Sequence, residues 1–281
     1  MSLLACRING IATEQLAVAD RACQYGDGLF ETLAVRKGKV EFLTEHLQRL
    51  AEGAGRLNIP MPDEARWRSD IAGVLVGRQQ AVLKLVLSRG LGGRGYQSPA
   101  EPSATRMVML SPWPVYPPEY AERGVRVRLC ETRLARQPQL AGLKHLNRLE
   151  QILARNEWNS DDIQEGLMRD TDDNLIEGTM SNLFVLKGDA LQTPDLSGCG
   201  VQGIMRQQVI ELAPELGLSV DYTDFQTDAL YDADALFLTN CLIGIWPVSQ
   251  LEDKQFEPNR RIKHLQERLD ALRWQHAQSD L

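Results

Sequence analysis

Apolar residues fall in short runs with strand spacing over the first third of the chain. Leu3–Ile8 reads as a strand, and Asn9-Gly10 behind it signals a tight turn, because both residues tolerate positive φ. Leu29–Arg36, Ala81–Ser88 and Arg106–Leu110 are further apolar, β-branched runs of strand length. Lys37-Gly38-Lys39 turns Leu29–Arg36 into a hairpin with Val40–Leu43. Helical spacing follows: Leu47, Leu50 and Ala54 share a face of a helix expected from Thr44, as its cap, to about Leu57. A second helix is expected over Asp63–Val76. Later in the chain the pattern predicts strands at Val125–Cys130, Glu165–Arg169, Asn182–Leu186 and Ala235–Thr239. It predicts helices at Asn147–Trp158, Ile204–Leu216 and Arg260–Trp274, the last with a stripe of Ile262, Leu265, Leu269 and Leu272. The tail Gln275–Leu281 lacks apolar content and is expected to fray. Strands and helices mix without strict βαβ alternation, which predicts an α/β fold of the mixed, α+β-packed kind.

Punctuation divides the chain. Residues 112–119 carry Pro112, Pro114, Pro117 and Pro118, and so many prolines continue neither a helix nor a central strand. This segment is expected to link a smaller N-terminal domain, residues 1–111, to a larger one, residues 120–281. A length of 281 residues suits two such domains, and the 43% hydrophobic and 25% charged content rules out a disordered or fibrous chain. The net charge of −7 disfavours general nucleic-acid or anionic-membrane binding. No apolar run approaches a membrane span, and Arg7 interrupts the short apolar start before it reaches signal-peptide length. The five scattered cysteines contain no Cys-x-x-Cys and fit a reducing, cytoplasmic setting. Four histidines, none in His-x-x-x-His spacing, give no metal-site signal.

Gly90-Leu91-Gly92-Gly93-Arg94-Gly95 fits the dinucleotide pattern G-x-G-x-x-G, yet the proline-bearing stretch behind it is loop where that site requires a helix. A glycine loop able to close over an anion, carrying Arg89, Arg94 and Tyr96, is the better reading. Phosphate-loop, nucleophile-elbow and zincin motifs are missing from the sequence.

Three features remain, each with an ordinary structural explanation when taken alone. Lys144 sits among small and apolar residues at a loop-to-helix junction, where desolvation makes an amine nucleophilic. Glu177 precedes Gly178-Thr179 and leads into a strand. Gly200-Val201-Gln202-Gly203 opens a helix whose free N–H groups suit a phosphate. An amine for a Schiff base, a carboxylate for a pyridine nitrogen and a phosphate site are together the requirements of pyridoxal 5'-phosphate (PLP) catalysis.

Those segments, in order after Gly26-Asp27-Gly28-Leu29-Phe30-Glu31-Thr32 and Glu45-His46-Leu47-Gln48-Arg49-Leu50, resemble the fold-type IV PLP family of branched-chain aminotransferases, D-amino-acid aminotransferases and 4-amino-4-deoxychorismate lyases. The motifs span residues 26 to 243. Within the family the lyase branch is the nearer likeness, through Ser88-Arg89-Gly90, Gly92-Gly93-Arg94-Gly95-Tyr96 and Lys144-His145-Leu146-Asn147-Arg148-Leu149-Glu150. Phe30-Glu31-Thr32 is common to lyases and transaminases and does not separate them.

The resemblance implies two domains with the cofactor in the cleft between them, and a homodimer. It implies Lys144 as the Schiff-base lysine, Glu177 on the pyridine nitrogen, and Arg49 with the backbone of Ile204 and Met205 on the phosphate. Asn240 lies where the family places another phosphate-side loop. Arg94 and Tyr96 are candidates for a substrate carboxylate, with Arg148 a weaker one that could point away on its helix. The implied activity is a carbon–oxygen lyase releasing 4-aminobenzoate and pyruvate. An aminotransferase of the same fold, and a non-catalytic PLP-binding protein, stay open as alternatives.

Overall fold

The computed structural model describes residues 3–279, and these form two units. Met1 and Ser2 of the expected non-signal start, and Asp280 and Leu281 of the expected fraying tail, lie outside the described residues.

The first unit comprises the described residues through Val115, together with Lys144–Asn147 and the described residues from Arg273 onward. Its elements are β1 (Ala5–Ile8), β2 (Ile11–Ala12), α1 (Arg21–Tyr25), β3 (Gly28–Arg36), β4 (Lys39–Val40), α2 (Leu43–Arg56), α3 (Glu64–Leu75), β5 (Gln80–Ser88) and β6 (Thr105–Ser111). Among the described residues the strands form one antiparallel sheet in the order β2-β1-β6-β5-β3-β4. Alternation assigns its faces. Ala81, Leu83, Leu85 and Leu87 of β5 are fully buried, as are Leu29, Leu33 and Val35 of β3. Against this face pack α2, through Leu43, Leu47, Leu50 and Ala54, and α3, through Trp67, Ile71 and Val74. Each such side chain contributes about 1.5–3 kcal/mol by burial. The other face carries Phe30, Thr32, Val82 and Lys84, which are not fully buried.

β3 has an edge beyond its pairing with β5. β4 takes one end of it, through Val35↔Val40. The segment Lys144–Leu146 takes the other, pairing His145 with Leu29.

The second unit comprises Tyr116–Leu143 and Arg148–Leu272. Its elements are α4 (Glu119–Glu122), β7 (Val125–Leu134), α5 (Leu149–Arg155), β8 (Glu165–Asp170), β9 (Leu175–Gly178), β10 (Asn182–Lys187), β11 (Ala190–Pro194), α6 (Ile204–Leu212), a 3-10 turn (Ala213–Leu216), β12 (Ser219–Thr223), α7 (Thr227–Tyr231), β13 (Ala235–Asn240), β14 (Gly244–Leu251), β15 (Lys254–Gln255) and most of α8 (Arg260–Ser279). Among the described residues the strand order is β12-β11-β10-β13-β14-β7-β8-β9, with β15 on β14. Pairing of Glu177 with Asn182 joins β9 back to β10, so the central strands close into a barrel. β7 runs parallel to β8 and β14, and β11 to β12, while the other pairs are antiparallel. Val127, Leu167, Leu183, Leu236, Leu238 and Trp246 fill one core cluster.

Several boundaries differ from expectation. α2 begins at Leu43, and Thr44 lies within it. Its cap is Phe42 at φ 53°, with no side-chain capping bond. A left-handed phenylalanine costs about 1–2 kcal/mol. Here its ring is 1% exposed and its carbonyl accepts the His46 amide, so packing overrides local preference. The hairpin partner Val40–Leu43 shrinks accordingly to β4. Helix α5 is shorter than Asn147–Trp158, because Arg148 caps it and Lys144–Leu146 is extended. The helix expected over Ile204–Leu216 tightens to 3-10 at Ala213, where Pro214 removes a donor. The tail through Ser279 is helical rather than frayed. Arg273 is buried against Glu41, Lys37 lies over the Trp274 ring, and His276 stacks on Phe42 at 4.5 Å.

Candidate active site

In the first unit, Lys144 is held by backbone bonds on both sides. The Phe30 amide donates to its carbonyl at 2.9 Å, and the Leu146 amide donates to the Gly28 carbonyl at 3.0 Å. That register sets Lys144 opposite Phe30 on the face away from the helices. Its Nζ lies 4.5 Å from the Phe30 ring centroid.

Arg49 projects from α2 toward Glu31 of β3. Its Nε donates to Oε1 at 2.8 Å, and its Nη2 donates to Oε2. His46, one turn earlier, places Nδ1 2.6 Å from the same Oε2. Burial alone would raise the Glu31 carboxyl, but Arg49 and His46 overcome it and hold the group at about 2. Glu31 is therefore a fixed anion that orients the guanidinium of Arg49.

The glycine loop also belongs to this unit. Asp27 accepts from Arg21 at 2.7 Å and from Arg89 at 2.8 Å. Arg21 continues to the carbonyls of Gly95 and Tyr96, both at 3.1 Å, and the Gly95 amide donates to the Tyr25 hydroxyl at 3.1 Å. Gly90, at φ +89°, admits no side chain, since a Cβ there would lie 1.8 Å from the Ser103 carbonyl oxygen. Arg94 is exposed on this pinned loop, and Tyr96 is exposed with its ring edge against Tyr25.

In the second unit, Glu177 is buried on β9, and its Oε2 accepts the Val201 amide at 2.8 Å. The Gly142 amide donates to the Gly200 carbonyl, and the Gln202 amide donates to Gly142. The residues just before Lys144 are thus laced to the turn that opens α6. Asn182 donates to the Val201 carbonyl at 2.8 Å. A Cβ on Gly203 would come within 2.0 Å of the Asn182 Oδ1, so that position is a close approach of backbone to side chain.

Ile204 and Met205 open α6. Gly203, its cap, supplies no side-chain bond, and the first turn holds no acid. The leading N–H groups of such a helix have no intrahelical acceptor and favour an anion.

The Asn240 side chain serves a turn, accepting from Leu242 and Ile243 and donating to the Met180 carbonyl at 3.0 Å. Arg148 donates to the Leu143 carbonyl at 3.1 Å. Burial pushes it below the usual arginine value, and nearby Glu177 pulls it back. It therefore faces the Glu177 side rather than pointing away along α5. A cavity of about 400 Å³ elsewhere in this unit, bounded by Ile243, Pro247, Phe256, Lys263 and Gln266, touches none of the expected site residues.

Glu165 and Asn182 were not singled out as functional from sequence. Glu165 is fully buried and accepts from the Thr179 and Ser181 hydroxyls and from the Gly166, Thr179 and Met180 amides. It thereby fixes the turn after Glu177. Burial pushes its carboxyl up against the pull of those donors. An acid inside an apolar strand run was the available signal.

These residues fit PLP by their chemistry: a lysine amine, a buried carboxylate tied to a glycine turn, an oriented arginine and an uncapped helix start. The model of the family Amino-transferase class IV matches residues 28–251. Aminodeoxychorismate lyase of Vibrio harveyi is 36% identical over 94% of this chain and 97% of its own. D-alanine aminotransferase of Bacillus licheniformis is 27% identical over 84% and 82%. The crystal structure of 4-amino-4-deoxychorismate lyase from Pseudomonas aeruginosa matches with a TM-score of 0.91 and 44% identity, over 95% of this chain and 98% of that one. This chain, with the lysine, acid and helix-opening turn in the order its sequence displays, belongs to the class IV aminotransferase family.

Proposed function

We propose that this protein is a PLP-dependent carbon–oxygen lyase that converts 4-amino-4-deoxychorismate to 4-aminobenzoate and pyruvate. The observation that carries the reading is the end-to-end match to lyases at higher identity than to the aminotransferase. The lyase-like run Lys144–Glu150 supports it.

When bound, PLP supplies an electron sink for the carbon bearing the substrate amine. Lys144 would hold the cofactor and, once released by the substrate amine, take the proton from that ring carbon at its Nζ. Glu177 would keep a proton on the pyridine nitrogen. Arg49 and the Ile204 and Met205 amides would hold the phosphate. As the C–H bond breaks, its electron pair completes the aromatic ring and the C–O bond to the enolpyruvyl group breaks with its electrons on oxygen. Lys144 can return the proton to that oxygen, one residue serving both transfers. The enol then becomes pyruvate.

Working as a homodimer and a cytoplasmic location belong to the same proposal. Among the described residues no helix is long and apolar enough to cross a membrane. Leu149, Ile152 and Leu153 share an exposed face of α5, at 74%, 53% and 60%, which supports a partner copy.

The test is release of 4-aminobenzoate and pyruvate by purified, PLP-loaded protein, with Lys144→Ala alongside. Equal amounts of both products, dependent on Lys144, support the reading. Amino-group exchange between an amino acid and a keto acid, without lyase turnover, would replace it with the aminotransferase.

A further inference from the structure

Three parts of the first unit meet at Asp27, in the turn Gly26-Asp27-Gly28 that leads from α1 into β3. Its carboxylate accepts from Arg21 Nε at 2.7 Å and from Arg89 Nε and Nη2 at 2.8 and 3.0 Å. The backbone repeats these contacts. The Asp27 amide donates to the Arg21 carbonyl, and the Arg89 amide donates to the Asp27 carbonyl, both at 3.2 Å. Burial would raise the Asp27 carboxyl, but Arg89 and Arg21 outweigh it and hold the group below the usual aspartate value. It is therefore a permanent anion shared by two guanidiniums.

Each connection leads to a different part. Arg21 goes on to the Gly95 and Tyr96 carbonyls of the glycine loop. Arg89 goes on to the Leu57 and Asn58 carbonyls at 2.9 and 2.8 Å, at the C-terminal end of α2, the helix that carries Arg49. The backbone on either side of Asp27 holds the lysine segment. The Gly26 carbonyl accepts from Asn147 Nδ2 at 3.2 Å, and the Gly28 carbonyl accepts from the Leu146 amide at 3.0 Å. Both contacts are close. A Cβ on Gly26 would lie 2.9 Å from the Asn147 Oδ1, and one on Gly28 would lie 2.4 Å from the Leu87 carbonyl oxygen. The two arginine side chains are only 4% and 9% exposed, so drawing Asp27 away from them strands charge out of water. The turn is thus fixed against the loop on one side and against the lysine segment on the other.

We infer that Asp27 is a positioning residue that couples the glycine loop to Lys144, one carboxylate setting both the placement of the loop and the alignment of the lysine. This rests on the reading of Lys144 as the cofactor lysine and of the glycine loop as the one that closes over substrate. Arg21 serves the loop alone, because Arg89 keeps Asp27 in place through two bonds when Arg21 is lost.

The experiment uses PLP-loaded wild type, Asp27→Asn and Arg21→Met. Trypsin cleavage after Arg94, followed by fragment mass, reports the loop. The pH midpoint of the bound cofactor's absorbance and the kcat for 4-amino-4-deoxychorismate report the lysine. Cleavage is expected to rise several-fold in both variants, since each releases the loop. In Asp27→Asn the midpoint is expected to move by about half a unit or more. Its kcat is expected to fall roughly ten-fold or more, as for a misplaced reacting group. In Arg21→Met the midpoint is expected to stay at the wild-type value. Unchanged cleavage or an unchanged midpoint in Asp27→Asn overturns the inference. Midpoints that move by similar amounts in opposite directions in the two variants also overturn it, because loss of a charge of either sign then explains them without any change of position. Wild type that releases no 4-aminobenzoate, with cleavage and midpoints as expected, overturns the lyase reading and leaves the coupling in place. If Asp27→Asn does not fold, as judged by melting, Asp27→Glu replaces it with the same deciding outcomes, since one added methylene displaces the carboxylate from both arginines.

Discussion

Arg49 and Glu31 meet edge to edge, the guanidinium donating through Nε and Nη2 to the two oxygens of a carboxylate that is 1% exposed. Glu31 lies on β3 two residues past Leu29, which pairs with His145 next to Lys144. Arg49 lies on α2, packed against that strand. One buried carboxylate thus ties the expected phosphate arginine to the strand that also carries the lysine segment.

Acid should dismantle this tie. The Glu31 carboxyl is held at about 2, below its unfolded value, so its stabilising contribution is full above the unfolded value and is lost as pH falls toward 2. A depression of this size corresponds to about 3 kcal/mol. Urea unfolding of wild type should weaken between roughly pH 4.5 and pH 2 beyond what Glu31→Gln shows, since the variant lacks the group. Parallel pH profiles for the two proteins would sink the assignment.

Glu177→Gln removes the acid while keeping a side chain able to accept from the Val201 amide. PLP retention and melting should change little. The kcat should fall roughly a hundred-fold, the lower end of what a proton-holding group contributes. A variant with wild-type kcat would return Glu177 to a structural part in the turn.

Gly203→Ala places a Cβ against the Asn182 Oδ1 and forces that side chain off the Val201 carbonyl. The turn opening α6 should shift, so the dissociation constant for PLP, read by absorbance titration of apoprotein, should rise roughly ten-fold or more. The unfolding free energy should drop modestly, by about 1–2 kcal/mol. Unchanged PLP affinity would detach α6 from the phosphate.

The glycine loop is pinned from beneath by Arg21, whose side chain is 4% exposed and reaches Asp27 and the Gly95 and Tyr96 carbonyls. Arg21→Met should loosen the loop and lower kcat/KM, as Arg94→Ala does if Arg94 binds substrate. An unchanged kcat/KM in Arg94→Ala leaves the loop without that task.

β3 and β5 were legible in the sequence because one face of each is buried against helices, which imposes period two. β12 was not, since its residues are largely exposed and carry no such pattern. β14 was hidden by Gly244 and Pro247, although Leu238↔Trp246 pairing sets it firmly beside β13. Lys144, Glu177 and the α6 turn were legible from their chemistry and the resemblance. Glu31, Asn182 and Glu165 were not, because each acts through a partner on another strand, helix or loop.

The chain's end offers a separate test of how polar residues can fix a fold. Arg273 of α8 donates from Nε to Glu41 at 2.8 Å, and the two side chains are only 4% and 5% exposed. Glu41 also has Arg36 at 3.1 Å, a partner one-third exposed. Breaking a buried pair from one side leaves a charge uncompensated and costs about 3–5 kcal/mol. Arg36 stays beside Glu41 when Arg273 is replaced, so Arg273→Met should fall at the low end of that range. Glu41→Gln should strand Arg273 more completely and cost more. The double variant should be less destabilised than the sum of the two, because removing both charges removes the stranded one. Equilibrium urea unfolding of the four proteins gives the cycle. Strict additivity would show that the tail is held by the Phe42–His276 stack and the Lys37–Trp274 contact instead of by this pair.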